Sequence, residues 1–346
     1  MTPQCNVSRH GVNTMEHILN LPSSGDITPT LPRRVTIAVD PSAASRQALI
    51  YARNILPDGA EVRLVSVAET PHSIFPLARQ AGRALNPARQ ELLHDATETL
   101  EEAKQRIADS KFKIATELVD LAKHGGDVVS ALVDAAHAWS AELLIVGTRQ
   151  HHGLPRWVEG TVSGQLPRHL RCPVLIVPEA CRTPIDHLPE RILFAVDGSP
   201  QSVSALRYGV RFANRDTCLR SVYVIDDAVR PGDLVPDALE PAFTAEGKHA
   251  LAAADKVLPG VSAQPTSAVL GTGRNDDDVA HAIVREADSW HAQLVVMGTH
   301  GRRGAARWIL GSVAARVARI TRTPLLLVHH DAPSRPGPES DRAHDA

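Results

Sequence analysis

Leu294-Val295-Val296-Met297-Gly298-Thr299-His300-Gly301, then nine residues, then Gly311-Ser312-Val313, is the stretch that decides the fold. The apolar run ending in glycine reads as a buried parallel strand. Val313 to Ile320 reads as a helix with Ser312 at its cap. A strand, a glycine-bearing loop and a helix start make a phosphate cradle. Glycine permits close backbone approach, and the helix N-terminus supplies unpaired N–H groups at the positive end of its dipole.

The same pattern stands earlier in the chain. Gly147-Thr148-Arg149-Gln150 is followed after nine residues by Gly160-Thr161. The offset is 151 for both glycine pairs (147 and 298, 160 and 311), and Arg171–Val177 matches Arg322–Val328 at that offset. The copy starts, Thr36–Ser42 and Leu193–Ser199, lie 157 apart (40 and 197). A repeat this long is a duplicated domain; solenoid units are far shorter.

Each copy alternates apolar strands with helical patterns, which predicts parallel α/β sheets. In the first copy the strands fall near Val35–Val39, Val62–Val67, Lys113–Val119, Leu143–Val146 and Val174–Val177. Its helices fall near Ser45–Leu56, Ala88–Asp109, Val128–Trp139 and Val162–Leu170. In the second copy the strands fall near Ile192–Val196, Leu219–Ile225, Thr266–Leu270, Leu294–Met297 and Leu325–Val328. Its helices fall near Ser202–Ala213, Pro241–Val257, Asp277–Trp290 and Val313–Ile320. Thr70–Pro87 and Asp226–Glu240 read as long loops or lids. The expected division is a disordered segment 1–31, a domain over 32–178, a linker 179–189, a second domain over 190–330 and a disordered tail 331–346. In such sheets ligands bind beyond the carboxyl ends of the strands, where strand order reverses.

Composition narrows the function classes. The net charge of −2 makes no electrostatic case for nucleic acid or membrane binding. Aromatic residues are only 3% of the chain, so aliphatic side chains must build the cores. The four cysteines show no C-x-x-C spacing, which reads as free thiols in a reducing compartment. No apolar run approaches the length of a membrane helix, and the first 31 residues have no signal-peptide pattern.

With Val196-Asp197-Gly198-Ser199 after the first strand and the Gly-x-x-Gly-(nine)-Gly-Ser loop after the fourth, the chain resembles the universal stress protein family. Thr323–Val328 is similar to that family's last strand, and the resemblance covers nearly all of both copies. It implies an α/β fold of two tandem doubly wound domains, each with a five-stranded parallel sheet, of the adenine nucleotide alpha hydrolase-like type. It implies an ATP site, with or without Mg2+. Asp197 would hold the adenosine part, Val224 would lie along the adenine and Gly298 would approach the ribose. Gly301, Gly311 and Ser312 would take the phosphates, with Val313 beside them. It also implies a cytoplasmic stress adaptor or sensor with an unidentified protein partner, and an internal pseudo-dimer through the last strands. Homodimerisation of whole chains is left open.

The first copy keeps Asp40, Val67, Gly147, Gly160 and Thr161, but has Gln150 where the second has Gly301 and Pro41 where it has Gly198. Its nucleotide binding is therefore expected to be weaker or absent. No nucleophile paired with a base is evident, so slow hydrolysis is the most the sequence supports. The alternatives are a nucleotide-free interaction module, or an adenylating or pyrophosphatase-type enzyme on a related fold. The latter would need a different loop after the first strand. Other features read as structural. The acids in Gly271–Asp278 complement a helix start, and the adjacent pairs His151-His152 and His329-His330 do not share a helical face. Trp157 and Trp308 read as packing anchors. Arg302-Arg303 reads as a surface pair, with phosphate contact as the rival.

Overall fold

The computed structural model describes residues 30–71, 85–149, 162–181, 187–226, 240–258, 261–262, 265–272, 278–301 and 310–329. The expected termini apart from residues 30 and 31, most of both lids, and Gln150, Trp157, Gly160, Thr161, Arg302, Arg303 and Trp308 lie outside the described residues, as do His151, His152 and His330.

The first half runs β1 (Arg34–Ala38), α1 (Ala43–Ile55), β2 (Glu61–Ala68), α2 (Asn86–Arg106), β3 (Lys113–Asp120), α3 (Leu121–His124), α4 (Val128–Ala138), β4 (Leu143–Thr148), α5 (Val162–His169) and β5 (Val174–Pro178). The second runs β6 (Arg191–Ala195), α6 (Pro200–Gly209), β7 (Cys218–Ile225), α7 (Glu240–Asp255), β8 (Thr266–Gly271), α8 (Val279–Ser289), β9 (Leu294–Gly298), α9 (Ser312–Ile320) and β10 (Leu325–Val328). The sequence pattern anticipates every strand. It misses the single turn α3, and it overruns α6, which gives way to a 3-10 turn at Val210–Phe212.

Among the described residues the strands form one sheet in the order β3-β2-β1-β4-β5-β10-β9-β6-β7-β8. All neighbours are parallel except at the centre, where β10 runs antiparallel to β5 with Leu325 opposite Ile176 and Leu327 opposite Val174. The expected pairing of the last strands is what joins the halves. It hides the edge each half would otherwise leave unpaired.

Apolar runs suit these strands because helices cover both sheet faces. All four residues of β10 are fully buried: Leu326 and Val328 face the layer containing α1, α2, α6 and α7, while Leu325 and Leu327 face the layer containing α4, α5, α8 and α9. Each layer is continuous across the seam.

Reciprocal hydrogen bonds also cross it. The Tyr51 hydroxyl on α1 donates to the Gln293 carbonyl at 3.2 Å, and Tyr208 on α6 donates to the Glu142 carbonyl at 2.8 Å. Burial pushes both phenols well above the usual value of 10.0.

Helix starts follow local chemistry. Ser42 and Ser199 cap α1 and α6, accepting from the N–H groups of Ser45 and Ser202. Asp127 and Ser130 form a capping box on α4. Asp278 caps α8, so this member of the acidic run serves the helix start, as read from sequence. It also takes Arg316 of α9 at 2.8 Å, which ties the two helices. Burial opposes its charge, but the His281 N–H and ring and the Arg316 guanidinium hold its carboxyl below the usual range.

Candidate functional site

Strand order reverses between β6 and β9, because β7 and β8 lie to one side of β6 while β9 and β10 lie to the other. A crevice is expected beyond the carboxyl ends of these two strands. A cavity of about 480 Å³ lies there, within the size range of small-molecule sites. Asp197, Val224, Gly298, Gly301, Gly311, Ser312 and Val313 all line it.

The loop end is built from β9 outward. Thr299 is fully buried, and its backbone N–H donates to the Val328 carbonyl at 3.0 Å, binding the loop to β10. Its hydroxyl lies 3.0 Å from Nδ1 of His300 and 3.2 Å from Nδ1 of His329. Gly311 N–H donates to the Thr299 carbonyl at 2.8 Å, and this closes the loop onto the start of α9. A Cβ on Gly311 would stand only 3.2 Å from that carbonyl oxygen.

One detail differs from the sequence reading. Ser312 is the first residue of α9; Gly311 is the cap, and no side chain caps this helix. A glycine can stand there because the turn is closed by the backbone contact to Thr299. The N–H groups of the first helical turn lack intrahelical acceptors, and Ser312, Val313 and Ala314 line the cavity. The Ser312 side chain is exposed beside them.

Gly298 has a packing reason to be glycine. A Cβ there would meet the His300 carbonyl at 3.1 Å and Gln201 on α6 at 3.3 Å. Gly147 in the first half shows the same need more sharply, since its Cβ would stand 2.4 Å from the Ala44 backbone on α1.

Asp197 follows β6. Its Oδ1 accepts the Ser199 N–H at 2.9 Å, a turn that presents Ser199 to cap α6. Gly198, with φ of 80°, takes the left-handed conformation this turn uses. Asp40 makes the same turn with the Ser42 N–H at 2.9 Å and also accepts from the Ser42 hydroxyl. Pro41 cannot adopt a left-handed φ, so the two halves reach one hydrogen bond along different backbones.

The far wall is apolar, with Val222 and Val224 of β7 on the same layer as Val279 and Ile283 of α8, while Ile225 at the strand end packs on the opposite layer. Val67 is the first-half counterpart of Val224; both are half-buried and packed on the same apolar layer. Asp226, Glu246, Ser202, Tyr223, Thr299 and His300 also line the cavity and were not singled out from sequence. The strand-end rule points to Asp226, which directly follows β7. Nothing in the local pattern marks Glu246, which α7 brings in from the far side of a long connection.

A duplicated doubly wound α/β unit, with a glycine loop leading into a helix start at the switch point, defines the class of protein. The universal stress protein family profile matches residues 32–178 and 189–329, and the chain belongs to that family, with two tandem copies. It is 27% identical over 297 residues to a universal stress protein of Mycolicibacterium smegmatis, covering 85% of this chain and 96% of that one. It is 30% identical over 233 residues to one of Mycobacterium tuberculosis, covering 65% of this chain and 72% of the relative. The solved structure of a universal stress protein from Archaeoglobus fulgidus shares the fold, with a TM-score of 0.59 and 18% identity over 87% of this chain and 97% of the other. Among the described residues no helix is long and apolar enough to cross a membrane.

Proposed function

We propose that the second half binds ATP in the β6–β9 cavity and that the protein acts as a nucleotide-responsive stress adaptor or sensor in the cytoplasm. The observation that carries this reading is convergence. Seven residues chosen for a nucleotide from sequence, drawn from four separate segments of the second half, line one cavity at the start of α9.

In this reading the phosphates sit against the N–H groups of Ser312 and Val313 and the dipole of α9. The base lies along Val224, with Val279 and Ile283 opposite, and Asp197 meets the nucleoside between them. Among the described lining residues Asp197, Asp226 and Glu246 are carboxylates and none is Lys or Arg. Backbone donors and a bound Mg2+ would therefore offset much of the phosphate charge. Among the described lining residues Thr299 and His300 bring a hydroxyl to an imidazole. Thr299 is fully buried, however, and is not placed to attack a phosphate as a hydrolase nucleophile would be, so binding is the proposed function, with ATP turnover slow. The bound state is favoured over the unbound state by mass action, and this is what lets nucleotide level set the population a partner meets.

The first half is proposed to be structural or a weaker binder. Calorimetric titration of the whole protein with ATP and Mg2+ is expected to show one tight site per chain. Absence of heat and of any copurifying nucleotide would overturn the reading.

A further inference from the structure

Gly301 is the second glycine of the loop, and a phosphate loop ordinarily explains such a residue by backbone freedom or by close approach of the anion. The first of these does not apply to Gly301, and the structure shows a further reason. Its φ lies outside the left-handed region, so the backbone itself does not demand glycine. What a side chain would meet is Asp197: a Cβ on Gly301 would stand 2.5 Å from Oδ2 and 3.7 Å from Cγ of that residue. Contacts shorter than 3.0 Å do not occur for real Cβ atoms, so one partner must move. The movable one is the carboxylate, and swinging it strains the bond from the Ser199 N–H to Oδ1.

We propose that Gly301 is a positioning residue for Asp197. The missing side chain leaves the room in which Oδ2 stands at the cavity, and Asp197 so placed recognises the nucleoside part of the ligand. The inference rests on the nucleotide reading above. It also separates the halves: the first half carries Gln150 at the matching sequence position, and its Asp40 is exposed and takes both the N–H and the hydroxyl of Ser42 on one oxygen.

A double-mutant cycle tests it, with ATP as the probe and the full chain as the protein. Gly301→Ala is expected to weaken ATP binding by about tenfold or more, the scale of a hydrogen bond to a charged group. In an Asp197→Ala background the same change is expected to alter binding by less than about twofold, because the group it displaces is gone. Equal losses in both backgrounds, or no loss in the wild-type background, would overturn the inference and leave the nucleotide site standing. A crystal structure of Gly301→Ala gives a readout that needs no ligand. Displacement of the Asp197 carboxylate is expected, and an unmoved Oδ2 would overturn the inference. Failure of the unaltered protein to bind ATP would remove the site reading, and with it the role assigned to Asp197.

Discussion

The two halves share a topology, a turn and a seam, yet they differ at the few positions that shape a crevice. After β6 the chain turns through a left-handed Gly198; after β1 it passes through Pro41. At β9 a Cβ on the glycine would stand 3.3 Å from Gln201 of α6, a tight contact that a small shift could relieve, whereas at β4 the Ala44 backbone would stand at 2.4 Å. The helix after the first strand thus presses closer to the sheet in the first half. Duplication preserves whatever holds the sheet together, because both halves share one core. It leaves the turn and loop positions of each crevice, such as Gly198, Gly301 and Gly311, free to diverge, because these lie outside that core.

The comparison is broken most decisively at the loops. Gly311→Val is expected to lower ATP affinity by about 100-fold or more, since the added carbons collide with the Thr299 carbonyl and deform the helix start that supplies the donors. The matching Gly160→Val is expected to leave the tight site intact by calorimetry. A loss in the second variant without one in the first would reverse the assignment of the halves.

The seam should respond more strongly than the sheet edge. Leu326→Ala, at a fully buried position of β10, is expected to cost about 2–5 kcal/mol in urea unfolding. Leu118→Ala on edge strand β3, where the side chain is 37% exposed, is expected to cost about 1 kcal/mol or less.

A swap at the turn sharpens the contrast further. Gly198→Ala must place a side chain at φ of 80°, beside the Ala250 methyl at 3.2 Å, and is expected to cost about 1–2 kcal/mol. Pro41→Gly frees the unfolded chain and is expected to cost about 0.5–1 kcal/mol. Denaturant titrations of both variants check the order.

The reciprocal tyrosines predict a small and symmetric effect. Tyr51→Phe and Tyr208→Phe are each expected to cost about 1 kcal/mol. Both phenols have pKa values raised by folding, so their contribution is full below the ordinary value of 10.0 and is lost as pH rises beyond it. Unfolding of the wild-type protein should therefore become easier on the alkaline side, and the double Phe variant should show a flatter alkaline limb. An unchanged limb in that variant would remove the tyrosines from the account of the seam.

Much of this was legible in the residues themselves. Apolar runs of four to eight residues bounded by glycine or proline specify buried strands, and Ser42, Ser199 and Asp278 mark helix starts through local hydrogen bonds. The repeat offset implied two copies, and the unpaired last strands implied the β5–β10 seam. The glycine spacing with Asp197 picked out residues that do line one cavity. All of these signals are local, or are repeated in the chain, so periodicity and motif can carry them. The tertiary structure alone decided the rest. Glu246 reaches the cavity only because α7 packs beside β7, and Tyr51 finds the Gln293 carbonyl 242 positions away. From sequence, Gly298 and Gly301 are both assigned to ligand approach, one at the ribose and the other at the phosphates. Only their neighbours in space show that one makes room for a helix and the other for a carboxylate. A missing side chain leaves no trace of what it avoids until the opposing atoms are in place.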